Sequence, residues 1–289
     1  MPLHGIIAAL PTPITPQGQL AQDLFVEHGR WTLANGCHGL NILGTTGEAN
    51  SLPLFERQNI MRIAAKELDS QKLMVGTTTP SLDETLNLTS LADTLGYQVA
   101  LVLPPYYYKP LSEDDLFAWY AALHDGLGSR KISIYFYNFP QLSGIPLPLG
   151  VVTRLHRAYP DRFTGIKDSS GDLEYASQLA KTLCDCAVFP SSETTLKQAT
   201  KNGYAGCISA TVNITARLCA QVWDHTADQA IVERIKSLRE SLTSIPPIAA
   251  IKYMISKRTG DPRWQALLPP LRRLSDSQTA MLDGLDDTP

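Results

Sequence analysis

Eight short apolar runs punctuate this chain, at residues 5–9, 39–43, 73–76, 99–103, 132–137, 164–167, 187–189 and 205–209. They recur about every 30 residues, the length of one strand, one helix and two loops. Most segments between them have the periodicity of amphipathic helices. Ser81-Leu82-Asp83-Glu84 offers a capping box ahead of Leu86, Leu88, Leu91 and Leu95 at helical spacing. Ser112-Glu113-Asp114-Asp115 opens a second helix with acids at its N-terminus. Eight strands alternating with helices predict an α/β chain folded as a (β/α)8 TIM barrel over residues 1–224. A doubly wound sheet is the competing architecture. It would place a glycine-rich turn after the first strand, where this chain has Leu10-Pro11-Thr12-Pro13. Beyond Trp223 the rhythm changes. Helices are expected at 227–242, at 248–256 after the break at Ile245-Pro246-Pro247, and at 271–285. With no Gly/Ser-rich linker, residues 225–289 are expected to pack on the barrel as a C-terminal helical region.

With 289 residues, 44% of them hydrophobic, the chain can bury one large core or two modest ones. A formal net charge of -3 without any block of like charges argues against a nucleic-acid partner. No apolar stretch approaches the about 20 residues of a membrane span, and the first ten residues lack the basic start of a signal peptide. The five cysteines are odd in number, and Cys184-Asp185-Cys186 is too short for a zinc pattern. These features suggest a reduced, cytoplasmic protein, in which the sequons at Asn87 and Asn213 are chance matches.

Active sites of such barrels lie at the C-terminal ends of the strands, so the polar residues just past each run are the candidates. They are Thr12; Gly44-Thr45-Thr46-Gly47-Glu48; Tyr106, Tyr107 and Tyr108; Tyr135, Tyr137 and Asn138; Lys167; Ser191 and Ser192; Ser209 and Thr211. None of the six histidines stands there, so the set does not resemble a metal centre. Lys167 closes an apolar run. A lysine so placed either snorkels to water or keeps its amine partly desolvated, which favours the neutral, nucleophilic form. The Gly44–Glu48 turn either makes an ordinary strand-to-helix connection or points successive N–H groups inward as a small-anion nest. Tyr137 and Tyr135, two apart on a strand, face the same side. One such phenol beside an imine can move protons, although packing is the commoner task of a tyrosine.

Taken in order, these segments resemble the dihydrodipicolinate synthase/N-acetylneuraminate lyase family of class I, pyruvate-dependent aldolases. The likeness rests on Gly44-Thr45-Thr46-Gly47-Glu48, Pro105-Tyr106-Tyr107, Tyr137-Asn138-Phe139-Pro140 and Gly165-Ile166-Lys167-Asp168-Ser169-Ser170-Gly171-Asp172. The eighth-strand residues 206–213, Ala250-Ile251-Lys252-Tyr253 and Leu268-Pro269-Pro270-Leu271 extend it over almost the whole chain. The resemblance implies that Lys167 forms an imine with the 2-oxo carbon of pyruvate and that Tyr137 relays protons. Thr46 would add its hydroxyl to the relay, and Tyr107 would reach in from a neighbouring subunit of a homodimer or homotetramer. The backbone of Thr45 and Thr46 would hold the pyruvate carboxylate, the Ile208 carbonyl would lie near the imine, and Ser209 would contact substrate. No cofactor or metal is implied, because the protonated imine is itself the electron sink. Asp168, adjacent to Lys167, should point away from the site and be structural.

The departures bear on the substrate. Where the synthases carry an arginine two residues after the YNxP proline, this chain has Leu142, which offers no charge-assisted contact to a carboxylate. Leu54 and Pro80 stand where regulated synthases have polar residues. The acidic pair of neuraminate lyase appears as Ser192-Glu193, and its eighth-strand serine as Ala210. The expectation is a lyase or aldolase acting on a 2-keto-3-deoxy sugar acid, with hydroxyls of Ser192, Ser209 and Thr211 meeting the polyol tail. A dehydratase of a 2-oxo sugar acid, N-acetylneuraminate lyase, dihydrodipicolinate synthase and a non-catalytic sugar-acid binding protein are the alternatives.

Overall fold

The computed structural model describes residues 3–15 and 17–285. Its core is eight parallel strands: β1 (Gly5–Ala9), β2 (Gly39–Ile42), β3 (Leu73–Gly76), β4 (Val99–Val102), β5 (Ser133–Asn138), β6 (Phe163–Asp168), β7 (Ala187–Pro190) and β8 (Gly206–Ser209). The sheet order β7-β6-β5-β4-β3-β2-β1-β8 brings the first strand against the last. Between β7 and β8 the closing main-chain bond is Ala205 N–H to the Val188 carbonyl, 2.9 Å. The eight apolar runs therefore become a (β/α)8 barrel, and the doubly wound alternative is excluded. Strands covered on both faces need apolar residues on both, which is why the runs show no alternation.

Helices α1 (Gln22–Ala34), α2 (Leu54–Glu67), α3 (Leu82–Thr94), α4 (Glu113–Leu127), α5 (Pro140–Ser143), α6 (Leu149–Ala158), α7 (Leu173–Thr182), α8 (Ala199–Asn202) and α9 (Val212–Trp223) connect or follow these strands. Three more follow: α10 (Gln229–Thr243), α11 (Pro247–Thr259) and α12 (Asp276–Asp283). Pro247 begins α11, where its missing N–H leaves nothing unpaired. Ser81 accepts from Glu84 N at 3.3 Å, so only half of the expected box forms there. Complete boxes form at Ser112/Asp115 and Ser275/Gln278. The last of these corrects the expected helix at 271–285: it starts at Asp276, because Ser275 caps it, and residues 271–275 follow the turn at Pro269-Pro270 without regular structure.

Alternation along the strands sorts two cores. Outward residues such as Ile6, Leu40, Val75, Phe136 and Ile166 pack beneath the helices. Inward ones, including Ile7, Met74, Leu101, Tyr135, Phe189 and Ile208, fill the barrel. Gly165 makes this filling possible, since a Cβ there would lie 2.6 Å from the Tyr135 ring.

Candidate active site

Strands β5 and β6 pair with Tyr137 opposite Lys167 and Asn138 opposite Asp168. Register and alternation together put the lysine and the phenol side by side at the barrel mouth and send the next pair outward. Lys167 Nζ donates to Tyr137 Oη at 3.3 Å and sits 4.4 Å from the centre of its ring. Tyr137 Oη is in turn 3.2 Å from Thr45 Oγ1. Lys167 and Tyr137 are both buried, at 5% and 4% exposure, and the half-buried Thr45 ends a hydrogen-bonded chain of three groups. On the outer face Asp168 accepts from Asn138 Nδ2 at 2.7 Å and from Ser170 Oγ at 2.9 Å. Burial raises the Asp168 carboxyl above its usual range, and these hydrogen bonds oppose the rise. Its position there makes it a clasp between β5 and the loop after β6.

Thr45 stands on a turn whose backbone is far from ordinary. Leu43 and Glu48 both lie in the left-handed region, at φ 52° and 55°. Gly76 admits this shape, since a Cβ on it would come 2.1 Å from the Leu43 carbonyl. The turn is braced from three sides. Thr12 Oγ1 donates to the Gly47 carbonyl (2.8 Å), Lys252 Nζ donates to Glu48 Oε1 (2.6 Å) and to the Thr12 carbonyl (2.9 Å), and Glu48 Oε2 accepts from Leu268 N (2.9 Å). Burial pushes the Lys252 ammonium down, while Glu48 opposes that shift. Within the turn the N–H groups of Gly47 and Glu48 bond backwards to Gly44 and Thr45. The N–H groups of Thr45 and Thr46 have no acceptor among the described residues, and both residues line the cavity. A held turn with two free, adjacent N–H donors fits a carboxylate.

The cavity over Lys167 has a volume of about 600 Å³ and is walled by Ile208 of β8 and by Phe139, Leu142, Ser169 and Ser191 from the segments after β5, β6 and β7. Arg239 and Ile248 complete it from α10 and α11, with Arg272 from the segment before α12. That size is typical of a small-molecule site and leaves room beyond a three-carbon acid.

Several expected residues take other positions. The hydroxyl that meets Tyr137 belongs to Thr45; Thr46 makes no such bond, because the two neighbours point in different directions on a tight turn. The expectation for Thr46 is corrected accordingly, and the candidate relay hydroxyl is that of Thr45. Ile208 points into the barrel, so Ser209 points out: its Oγ donates to the buried Glu193 at 2.6 Å and does not border the cavity. Thr211 borders it but donates to Glu193 at 2.5 Å, and Ser192 Oγ is paired with Thr194. The three hydroxyls expected to meet a polyol are thus engaged elsewhere. Tyr107 is 71% exposed, stacked edge-on against Tyr108 at 5.2 Å and away from the cavity of its own chain. Lys252 and Arg239 were not among the expected site residues. Lys252 carried the same sequence mark as Lys167, a lysine set in an apolar stretch.

The model of the dihydrodipicolinate synthetase family matches residues 2–285. The chain belongs to that family. Family members are pyruvate-dependent lyases and aldolases of the Schiff-base type, and this chain is such an enzyme. It is 30% identical to an uncharacterized DapA-like lyase of Chloroflexus aurantiacus, over 96% of this chain and 94% of that protein. It superposes on the crystal structure of dihydrodipicolinate synthase from Agrobacterium tumefaciens with a TM-score of 0.91 and 30% identity, covering 97% of both chains. A prophage protein of the family from E. coli K12, determined in complex with pyruvate, gives a TM-score of 0.88 and 25% identity over 98% of this chain and 97% of that one.

Proposed function

We propose that this family member makes or breaks a C–C bond to pyruvate on a 2-keto-3-deoxy sugar acid. The observation that carries the chemistry is the hydrogen-bonded chain Lys167 Nζ–Tyr137 Oη–Thr45 Oγ1 beside two free N–H groups. The carboxylate of the 2-oxo acid sits on the Thr45 and Thr46 N–H groups. Lys167 attacks the 2-oxo carbon, the Tyr137 phenol gives its proton to the departing hydroxyl so that water leaves, and the protonated imine, beside the resulting phenolate, withdraws electrons from C3. In cleavage, Tyr137 accepts the proton of the C4 hydroxyl as the C3–C4 bond breaks, an aldehyde departs, and pyruvate remains as the enamine. Protonation at C3 and hydrolysis of the imine free pyruvate and restore the lysine. Condensation runs the same steps backwards. Thr45 completes the path by which the Tyr137 proton is exchanged.

Against a synthase role stands Leu142. It lines the cavity and is 63% exposed, and it offers the second substrate's carboxylate no charged partner at the position where the synthases have one. The exposed Tyr107–Tyr108 pair is the surface by which a second subunit adds Tyr107 to the site, as the family pattern implies. Sedimentation of Tyr107→Ser beside the parent chain tests that; a monomeric, fully active parent removes Tyr107 from the mechanism. The reaction is tested by incubating with pyruvate, reducing with borohydride and measuring intact mass. An adduct mapped to Lys167 and lost in Lys167→Ala is the expected result. An unmodified parent chain overturns the reading; once the adduct is in hand, a screen for pyruvate release from 2-oxo acids identifies the substrate.

A further inference from the structure

Glu193, just past β7, is fully covered, yet four groups converge on it. Its Oε2 accepts from Ser209 Oγ (2.6 Å) and Arg239 Nη1 (2.8 Å), and its Oε1 from Thr211 Oγ1 (2.5 Å) and Thr215 Oγ1 (3.3 Å). Arg239 reaches this cluster from α10, and Nη1 alone makes its contacts, with Ser209 Oγ (3.1 Å) and Thr211 Oγ1 (2.9 Å) besides the carboxylate. The Nε and Nη2 donors of the same guanidinium have no partner among the described residues, and Arg239 borders the cavity. Arg272, exposed and without an ion pair among the described residues, borders it too. The described residues lining the cavity include no aspartate or glutamate, while the cations are Lys167, Arg239 and Arg272.

We infer that Arg239 and Arg272 recognise a second anionic group at the distal end of the substrate, a carboxylate or a phosphate. The inference rests on the Schiff-base reading above and names the substrate class within it. Lys167 is used up by the imine, and the first carboxylate occupies the 45–46 turn. What remains is a cavity lined by apolar Phe139, Leu142 and Ile248, by neutral polar groups, and by the two arginines, with no acid among the described lining residues to balance them. The polar groups Gln141, Ser169, Ser191 and Thr243 also line the cavity and suit hydroxyls, but they leave the two guanidinium charges unmatched, and Glu193 is already covered and holds only Nη1 of Arg239. A planar anion needs a fork of donors held in place. Glu193 supplies that hold: it fixes one edge of Arg239, so the free edge loses little freedom on binding. Recognition by α10 and the segment before α12 would thus stand where Leu142 leaves the usual position without a charge.

The test compares pyruvate release by the full chain from three 2-keto-3-deoxy acids of similar length, ending in a hydroxymethyl group, a carboxylate or a phosphate. The expected result is a kcat/KM for one or both anionic substrates that exceeds the neutral one by about tenfold or more, since hydrogen bonds between charged groups are stronger than those between neutral ones. That advantage should shrink as salt is added. Which anionic arm is faster separates carboxylate from phosphate. Arg272→Ala, at an exposed position, should raise KM for the preferred anionic substrate about threefold to fivefold more than it raises KM for the neutral one. Arg239→Lys keeps a cation for Glu193 but loses the fork, and should abolish most of the anionic preference. Equal rates on charged and neutral substrates, or equal losses on both in the variants, overturn the inference. The borohydride adduct with pyruvate, measured on each variant, keeps the two readings apart. Its presence with no anionic preference sinks this inference alone; its absence from the parent chain sinks the Schiff-base reading.

Discussion

Lys252 Nζ and Glu48 Oε1 lie 2.6 Å apart with neither side chain reaching solvent, tying α11 to the turn that carries Thr45 and Thr46. Removing one partner leaves the other buried and unpaired. Lys252→Met should therefore cost about 3–5 kcal/mol in urea unfolding and, by loosening the turn, raise KM for pyruvate. Adding Glu48→Gln removes the stranded charge while keeping an acceptor for Leu268 N, so the double variant should recover most of the stability. Additive losses in the two singles and the double would show that the pair is not coupled.

The two threonines of the turn make a sharper comparison. Thr45 Oγ1 contacts Tyr137 and Thr46 does not, so Thr45→Val should lower kcat by about tenfold or more, in line with loss of one hydrogen bond used in proton transfer. Thr46→Val should leave kcat within about twofold, because its proposed contribution is its main-chain N–H. Tyr137→Phe should cost more than either, about 10²–10⁴-fold, with thermal unfolding almost unchanged. Steady-state pyruvate release measures all three, and a larger effect at Thr46 than at Thr45 would reverse the assignment.

His28 should make the fold acid-sensitive. Its Nδ1 accepts from Arg258 Nη2 at 2.8 Å and its Nε2 donates to Asn213 Oδ1 at 2.9 Å, which defines a neutral ring. Burial first, and then the Arg258 charge, push its pKa down to about 3. The unfolded chain binds a proton near pH 6.5 that the folded one refuses, so stability falls as pH drops from about 6.5 towards 3. In His28→Gln this part of the acid dependence should vanish, as read from unfolding midpoints across that range. A parent and variant with parallel pH profiles would contradict it.

Asp168 carries the opposite sign. Its folded carboxyl is raised by burial above the ordinary 3.8. Its contribution is complete below the unfolded value and is lost as pH rises through the folded one. Asp168→Asn can still accept from Asn138 and donate to the Ser170 hydroxyl. The difference in stability between parent and Asn variant should move in the variant's favour as pH climbs from about 4, and a constant difference would show that Asp168 ionises as it does in the unfolded chain.

Much of this was legible before any coordinates. Parallel strands covered on both faces must be apolar throughout, so the eight runs stand out by composition alone and match the strands to within about a residue. Lys167 and Tyr137 are legible for a related reason, each being the polar end of an apolar run. What was hidden depends on geometry that does not scale with sequence distance. Lys252 and Glu48 are 204 positions apart, and Arg239 reaches Glu193 across 46. The exchange of Thr45 for Thr46 follows from the left-handed backbone at Leu43 and Glu48, which decides which of two adjacent hydroxyls faces inward. Strand alternation, which turns Asp168 outward next to Lys167, turns Ser209 outward next to Ile208 as well.

The seam between β7 and β8 gives the barrel a direction of weakness. Seven neighbouring pairs are joined by ladders, that of β5 and β6 with one shift of register after Ile134, whereas this one has the Ala205–Val188 bond near its base and, at its mouth, the side-chain cluster around Glu193. The cylinder is in mechanical terms a sleeve with a slit, clasped at both ends. Strain on the cluster, from a ligand or a lost charge, would widen the slit before bending any other wall. Amide hydrogens of β8 would then exchange first, and the side of the cavity bounded by Ile208 would be the one that adapts its shape to what enters.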